Sequence, residues 1–177
     1  MVKNVLIFGI LLGVLVAGNM VYMVDQVCNN TEIQTDEVVG YAAMIVVFSL
    51  TFFGIRNYRN GKLNGFISFG QALKVGSLIV LVASTLYVVV WLFDYYLFVP
   101  QFIDQYTTHV LQNASRSGAT DTELAHKTKQ MVHLKEMYTN PVLIVLLSYS
   151  EVLPVGMAVA IVSSFLLKKK QKRMLSV

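Results

Sequence analysis

Four long apolar stretches alternate with polar ones along the chain. They run over residues 4–24 and 38–55, both without a charge, over 72–99, with Lys74 near one end and Asp94 near the other, and over 141–167, whose one charge is Glu151. A hydrocarbon core about 30 Å thick takes roughly 20 helical residues to cross, and each stretch meets or approaches that length. A backbone in lipid has to satisfy its N–H and C=O groups within its own segment, which selects helix. The pattern predicts an all-α fold: an integral membrane bundle of four transmembrane helices in a single membrane domain over 1–177.

The polar stretches differ in kind. Residues 56–65 hold Arg56, Arg59 and Lys62 among asparagines and glycines, the composition of a turn region. Residues 100–139 are too many for a bare connector. They read as two helices, about 100–115 and 121–138, parted by Gly118. Phe102, Ile103, Tyr106, Val110 and Leu111 recur at helical spacing in the first; Leu124, Met131, Leu134 and Tyr138 do so in the second. Thr120 followed by Glu123 is a capping box for the second helix, and Asn140-Pro141 ends it and opens the fourth span. The expectation is an extracytoplasmic helical hairpin between the third and fourth membrane helices.

Charge sets the orientation. Ten of the fourteen Lys and Arg residues flank the same side of the four spans: Lys3, Arg56, Arg59, Lys62, Lys74, Lys168, Lys169, Lys170, Lys172 and Arg173. The 25–37 connection holds Asp25, Glu32, Asp36 and Glu37 and no base. The positive-inside rule then predicts cytoplasmic termini, including the basic tail 168–177, and outward-facing acid-bearing loops. Arg56, Arg59, Lys62, Lys168, Lys169, Lys170, Lys172 and Arg173 are expected to anchor lipid headgroups, at about 1 kcal/mol each. Trp91, Tyr95 and Tyr96 fit an interfacial belt at the outer end of the third span, with Asp94 at headgroup depth among them. The first stretch also carries the marks of a signal peptide, Lys3 and the small residues Val16-Ala17-Gly18. Its apolar run is long for that role, and Gly9, Gly13 and Ala17 form a small-residue ridge suited to helix packing or self-association in lipid.

Composition agrees: 55% of residues are hydrophobic and 14% charged, against about 25% charged in a soluble domain. The net charge of +4 sits in topology-setting clusters, so no nucleic-acid partner is expected, only the bilayer and another membrane protein. The lone cysteine, Cys28, has no partner for a disulfide and no zinc-ligand spacing around it. The sequons at Asn29-Asn30-Thr31 and Asn113-Ala114-Ser115 matter only in a glycosylating pathway.

Chemistry is sparse. Glu151 lies ten residues into the fourth span, about 15 Å deep at 1.5 Å per residue. An intramembrane carboxylate faces the bundle and often carries function. Pro154 removes the helical donor for the Ser150 carbonyl and favours a kink, and Gly156 admits a close neighbour. Ser150, Glu151, Pro154 and Gly156 are therefore the candidate site, either a proton or ion relay or a hydrogen-bonded pin between helices. Ser84, Tyr87 and Ser49 match Glu151 in depth as partners. His109, His126 and His133, with Glu123 and Glu136 at i, i+3, suggest a metal set less strongly than they suggest the wet face of a helix. No metal, cofactor or catalytic constellation is expected, and no hydrolase, metalloprotease or phosphate-loop motif occurs.

Several segments together resemble a known family. These are Gly40-Tyr41-Ala42-Ala43-Met44-Ile45, Phe53-Gly54-Ile55-Arg56-Asn57-Tyr58-Arg59, 67–76 (Ile-Ser-Phe-Gly-Gln-Ala-Leu-Lys-Val-Gly), 135–141 and Glu151-Val152-Leu153-Pro154-Val155-Gly156. The chain is similar to domain-of-unknown-function family 4199, small four-helix membrane proteins of gram-negative bacteria. That resemblance implies four spans, an inner-membrane address, an uncleaved first helix and no assigned activity. The reading that follows is a non-enzymatic accessory or scaffold protein. The alternative is a small ion- or proton-coupled transporter built on Glu151 beside the Pro154 kink.

Overall fold

The computed structural model describes residues 1–29 and 37–169. They form seven helices: α1 (Val2–Asn29), α2 (Glu37–Phe48), α3 (Thr51–Lys62), α4 (Phe69–Leu97), α5 (Phe102–Arg116), α6 (Asp121–Met137) and α7 (Pro141–Leu167). Four runs are long and apolar enough to cross a bilayer: Val2–Cys28, Val38–Lys62, Phe69–Leu97 and Pro141–Leu167. Their outward faces are apolar, as Ile10, Val14, Val46, Phe93, Leu146 and Phe165 show. A soluble monomer does not leave apolar surface on that scale uncovered; this is a membrane protein.

α4 is the central helix. It packs most extensively against α1 and α7 and also against α3. The small-residue ridge of α1 makes the first of these contacts. A Cβ at Gly9 would lie 2.7 Å from Val82 Cβ, and one at Gly13 would lie 2.9 Å from Leu86 Cβ; Ala17 is buried beside them. The ridge expected to support self-association therefore faces α4 within the chain. Dispersion and close backbone approach hold the pair together, since lipid supplies no hydrophobic drive between helices.

The second span departs from expectation. Helix does not stop at Ile55 but runs on to Lys62, so Arg56 and Arg59 are helical and the turn is confined to 63–66. Glycine at 61 and asparagines at 57 and 60 lower helix propensity without forbidding helix, and contacts with α1, α4 and α7 override it. The span is broken instead at Ser49-Leu50, where Leu50 N–H donates to the Val47 carbonyl at 3.1 Å and Ser49 Oγ donates to the Val46 carbonyl at 2.6 Å. Past the break α3 buries Thr51, Gly54 and Ile55, whereas in 38–47 no residue is buried.

One end of the bundle gathers the start of α1, the α3–α4 turn and the end of α7. Asn4 Nδ2 donates to the Gly54 carbonyl at 2.9 Å, and Arg59 Nη1 donates to the Leu167 carbonyl at 3.2 Å. Ile67 and Lys169 exchange both backbone bonds, at 3.1 and 2.9 Å. Arg59, expected to hold headgroups, thus caps the carbonyl end of α7. Lys168 sits over the Phe165 ring, 3.6 Å from its centroid. Lys170, Lys172 and Arg173 lie outside the described residues. α4 starts with a capping box, Ser68 Oγ accepting from Gln71 N–H and Gln71 Oε1 accepting from Ser68 N–H.

The opposite end carries the hairpin. The expected box forms: Glu123 N–H donates to Thr120 Oγ1 at 3.3 Å, and Thr120 N–H donates to the Glu123 carboxylate at 2.8 Å. These bonds hold the Glu123 carboxyl below its usual range. Lys135 pairs with Asp104 across the two helices. Leu124, Met131, Leu134 and Tyr138 are the half-buried positions expected of the α6 face, but α6 buries nothing fully.

Candidate functional site

The hairpin is fastened by aromatic rings at its two ends. Phe102, where α5 begins, meets Trp91 edge-to-face with centroids 5.0 Å apart. Tyr138, just past α6, meets Tyr95 at 5.4 Å. Such pairs add about 0.5–1.5 kcal/mol each beyond the area they bury. Trp91 and Tyr95 lie one turn apart on α4, so both ends of the hairpin close on one helical face.

Beneath this aromatic roof lies a cavity of about 480 Å³, bounded by α1, α2, α4, α5, α6 and α7. The second span packs differently on the two sides of its break: α3 packs against α1, α4 and α7, and α2 chiefly against α1 and α7. A Cβ on Gly54, Gly76 or Gly156 would come within 3.0 Å of a neighbouring side chain, while Gly40, on the cavity wall, has nothing within 4 Å.

Glu151 lines this cavity, with Ser148 and Ser150 beside it. Asn19 of α1, Tyr87 of α4 and Glu151 of α7 each lie ten residues from the hairpin end of their own helix, about 15 Å down. That common depth gathers an amide, a phenol and a carboxylate on one level. Tyr41 completes the wall from α2 and is 42% exposed; Glu151 is exposed as well, so the cavity is not sealed. Above them, burial pushes the Tyr138 phenol far above the usual tyrosine range, and the negative Glu151 carboxylate pushes it the same way. The Trp91 indole, bonded to the Tyr138 hydroxyl, opposes both.

The other candidate residues fall as follows. Ser150 Oγ donates to the Leu147 carbonyl at 2.7 Å. Pro154 is exposed, and α7 continues through it as helix from Pro141 to Leu167. Gly156 is buried against Phe48 and Val80, away from the cavity lining. Of the three expected partners of Glu151, only Tyr87 shares its cavity. Ser49 bonds its own helix, and Ser84 is fully buried with its hydroxyl unpaired. A different pair bridges α7 to α4, Tyr149 hydroxyl to Thr85 Oγ1 at 2.9 Å. Asn19 and Tyr41 belong to the site and were not anticipated; an amide inside an otherwise apolar span was the available signal. The histidines separate: His109 is buried on α5, whereas His126 and His133 are on the exposed side of α6. Among the described residues no three His, Cys, Asp or Glu side chains come together as a metal set.

The arrangement defines a class: a four-span helical membrane protein with a helical hairpin roofing an aromatic, carboxylate-bearing cavity. The chain matches the family described as protein of unknown function (DUF4199) over residues 3–169, and it belongs to that family. No curated protein and no solved structure matches it.

Proposed function

We propose that this is a non-enzymatic multi-pass protein of a bacterial inner membrane that binds and passes on a small solute at Glu151. Both termini are cytoplasmic in this reading, and the hairpin lies outside. Support for the orientation comes from the two ends of the bundle. Among the described residues Lys3, Arg56, Arg59, Lys62, Lys74, Lys168 and Lys169 gather at the termini end without an acid, while Asp25, Asp94, Asp104, Asp121, Glu123 and Glu136 are at the hairpin end.

The cavity is the observation that carries the functional reading. A scaffold needs surface; it has no use for a void of about 480 Å³ that holds apart four spans and receives the one carboxylate at mid-depth. Voids of that size fall in the range of about 300–1,000 Å³ that takes small molecules. The test is carbodiimide labelling of Glu151 in native membranes across pH, with Glu151→Gln as the blank. Among the described residues the titratable groups lining the cavity with Glu151 are Tyr41, Tyr87, Tyr106 and Tyr138, and none of them is a carboxyl. Labelling that declines as pH rises supports a carboxyl in exchange with the cavity. Absence of labelling at every pH returns the protein to the scaffold reading.

A further inference from the structure

We infer that the cavity takes a neutral, membrane-dissolved amphiphile, a planar ring head on an apolar tail, which enters sideways from the bilayer between α2 and α7. This rests on the reading of the cavity as a binding site and names its ligand class and route. Three observations converge. The first is the rim. Among the described residues of the lining, only Tyr41 of α2 and Ser150 and Glu151 of α7 are exposed; the others are buried or half-buried. The same two helices meet lower down, where a Cβ on Gly156 would lie 3.0 Å from the Phe48 ring, whereas Gly40, further up α2, has nothing within 4 Å. Above the cavity, Trp91 with Phe102 and Tyr95 with Tyr138 fasten both ends of the hairpin to α4. Below it, Phe48, Val80 and Val152 are fully buried. The exposed part of the rim is thus a lateral seam between two membrane spans, and it faces hydrocarbon.

The second is what such a route admits. A solute that arrives through hydrocarbon carries no net charge, because an ion has to give up its hydration there. Glu151 and Tyr41 already interact within the chain, so route and wall set the ligand class, and charge on the rim does not. The third is the wall. Tyr41, Tyr87, Trp91, Phe102, Tyr106 and Tyr138 bring six rings to one cavity. Rings pair with a planar guest by offset stacking or edge-to-face contact. Asn19 adds an amide that donates and accepts, which suits a polar substituent on that guest. Met20, Met23 and Met44 are unbranched and adapt to its outline. A volume of about 480 Å³ holds the head, and the tail lies out along the seam in lipid.

The chain carries its own reporter. Its single tryptophan, Trp91, lines the cavity. The full-length protein in phosphatidylcholine vesicles is titrated with a fully substituted benzoquinone bearing a decyl chain while Trp91 fluorescence is followed. A parallel titration uses the same quinone with methyl in place of decyl, at the same bulk concentrations. The expected result is saturable quenching by the decyl quinone and none by the methyl quinone. Gly40→Phe puts a ring into the open space of the wall and weakens the quenching by roughly tenfold or more, because one ring's worth of buried contact is lost, with its melting temperature retained. Gly18→Phe, exposed and outside the lining, leaves the quenching unchanged. Should Gly40→Phe fail to fold, protection of Glu151 from carbodiimide by the decyl quinone, and not by the methyl one, gives the same answer in the unaltered protein. Quenching that does not saturate, equal potency of the two quinones, or saturable quenching untouched by Gly40→Phe overturns the inference, while a carbodiimide-reactive Glu151 leaves the binding cavity standing. Absence of saturable quenching together with an unreactive Glu151 overturns both.

Discussion

Two glycine-to-alanine substitutions separate the packed half of the bundle from the open half. At Gly156 an added Cβ would lie 2.5 Å from Val80 Cγ1 and 3.0 Å from Phe48 Cε1. Carbon atoms rest at about 3.5–4.0 Å, so one neighbour must retreat by about an ångström. Neither has room, because Val80 and Phe48 are both 0% exposed. Overpacking of this kind costs about 1–3 kcal/mol, offset by about 0.5–1 kcal/mol because Ala is the better helix former. At Gly40, on the cavity wall, nothing lies within 4 Å of the new Cβ, so only the offset remains. The difference between Gly156→Ala and Gly40→Ala therefore isolates the overpacking cost. At about 2–4 °C per kcal/mol for a chain of this size, Gly156→Ala unfolds about 2–12 °C below Gly40→Ala in thermal melts in one mild detergent. Gly40→Ala itself melts at or above the unaltered protein. Coincident midpoints for the two variants would refute the account of tight and open halves.

Other substitutions probe single contacts. Asn4→Leu removes the bond to the Gly54 carbonyl and lowers stability by about 0.6–2 kcal/mol, the span of interhelical hydrogen bonds in lipid, read as a lower melting temperature. Ser84→Ala deletes a hydroxyl that is fully buried and unpaired; the melting temperature holds or rises, since no partner is orphaned. Thr120→Ala breaks the α6 cap and costs about 0.5–2 kcal/mol of local stability, seen as faster amide exchange in the first turn of α6. The Glu123 carboxyl titrates below its unfolded value because the cap favours its charged form, so the cap is intact at neutral pH and is lost as pH falls through that lowered value; amide shifts of Thr120 and Glu123 follow it. Asp104→Asn removes an ion pair whose side chains are 57% and 58% exposed, so the melting temperature changes by no more than the equivalent of about 1 kcal/mol.

The helices were legible because lipid makes apolar length decisive. Three of the four spans contain the stretch read from sequence, the first two running past it; the third begins earlier, at Phe69, and ends at Leu97, short of Val99. The hairpin was legible from its cap, its break at Gly118 and its spacing. Two helix signals went unread in the second connection. The Ser68-to-Gln71 box was visible as a pattern and starts α4, and 56–62 lost its helix to a composition argument that tertiary contacts override. His109 was read with the wet face of the hairpin, yet it is only 9% exposed. One turn separates a residue facing the bundle from one facing away, and the polarity of a lone histidine does not say which.

The site was legible only in its centre. Glu151 stands out because a charge in a span needs a reason, and the cavity supplies one. What sequence did not separate is Gly40 from Gly54, Gly76 and Gly156: all four are glycines within spans, alike in propensity. Three are filled by a neighbouring helix, and Gly40 faces open space on the cavity wall. That difference follows the break at Ser49-Leu50: α3 packs against α1, α4 and α7, and α2 chiefly against α1 and α7. The consequence is that one span serves two purposes. Its α3 half fixes the bundle through Thr51, Gly54 and Ile55, and its α2 half brings Gly40, Tyr41 and Met44 to the cavity wall.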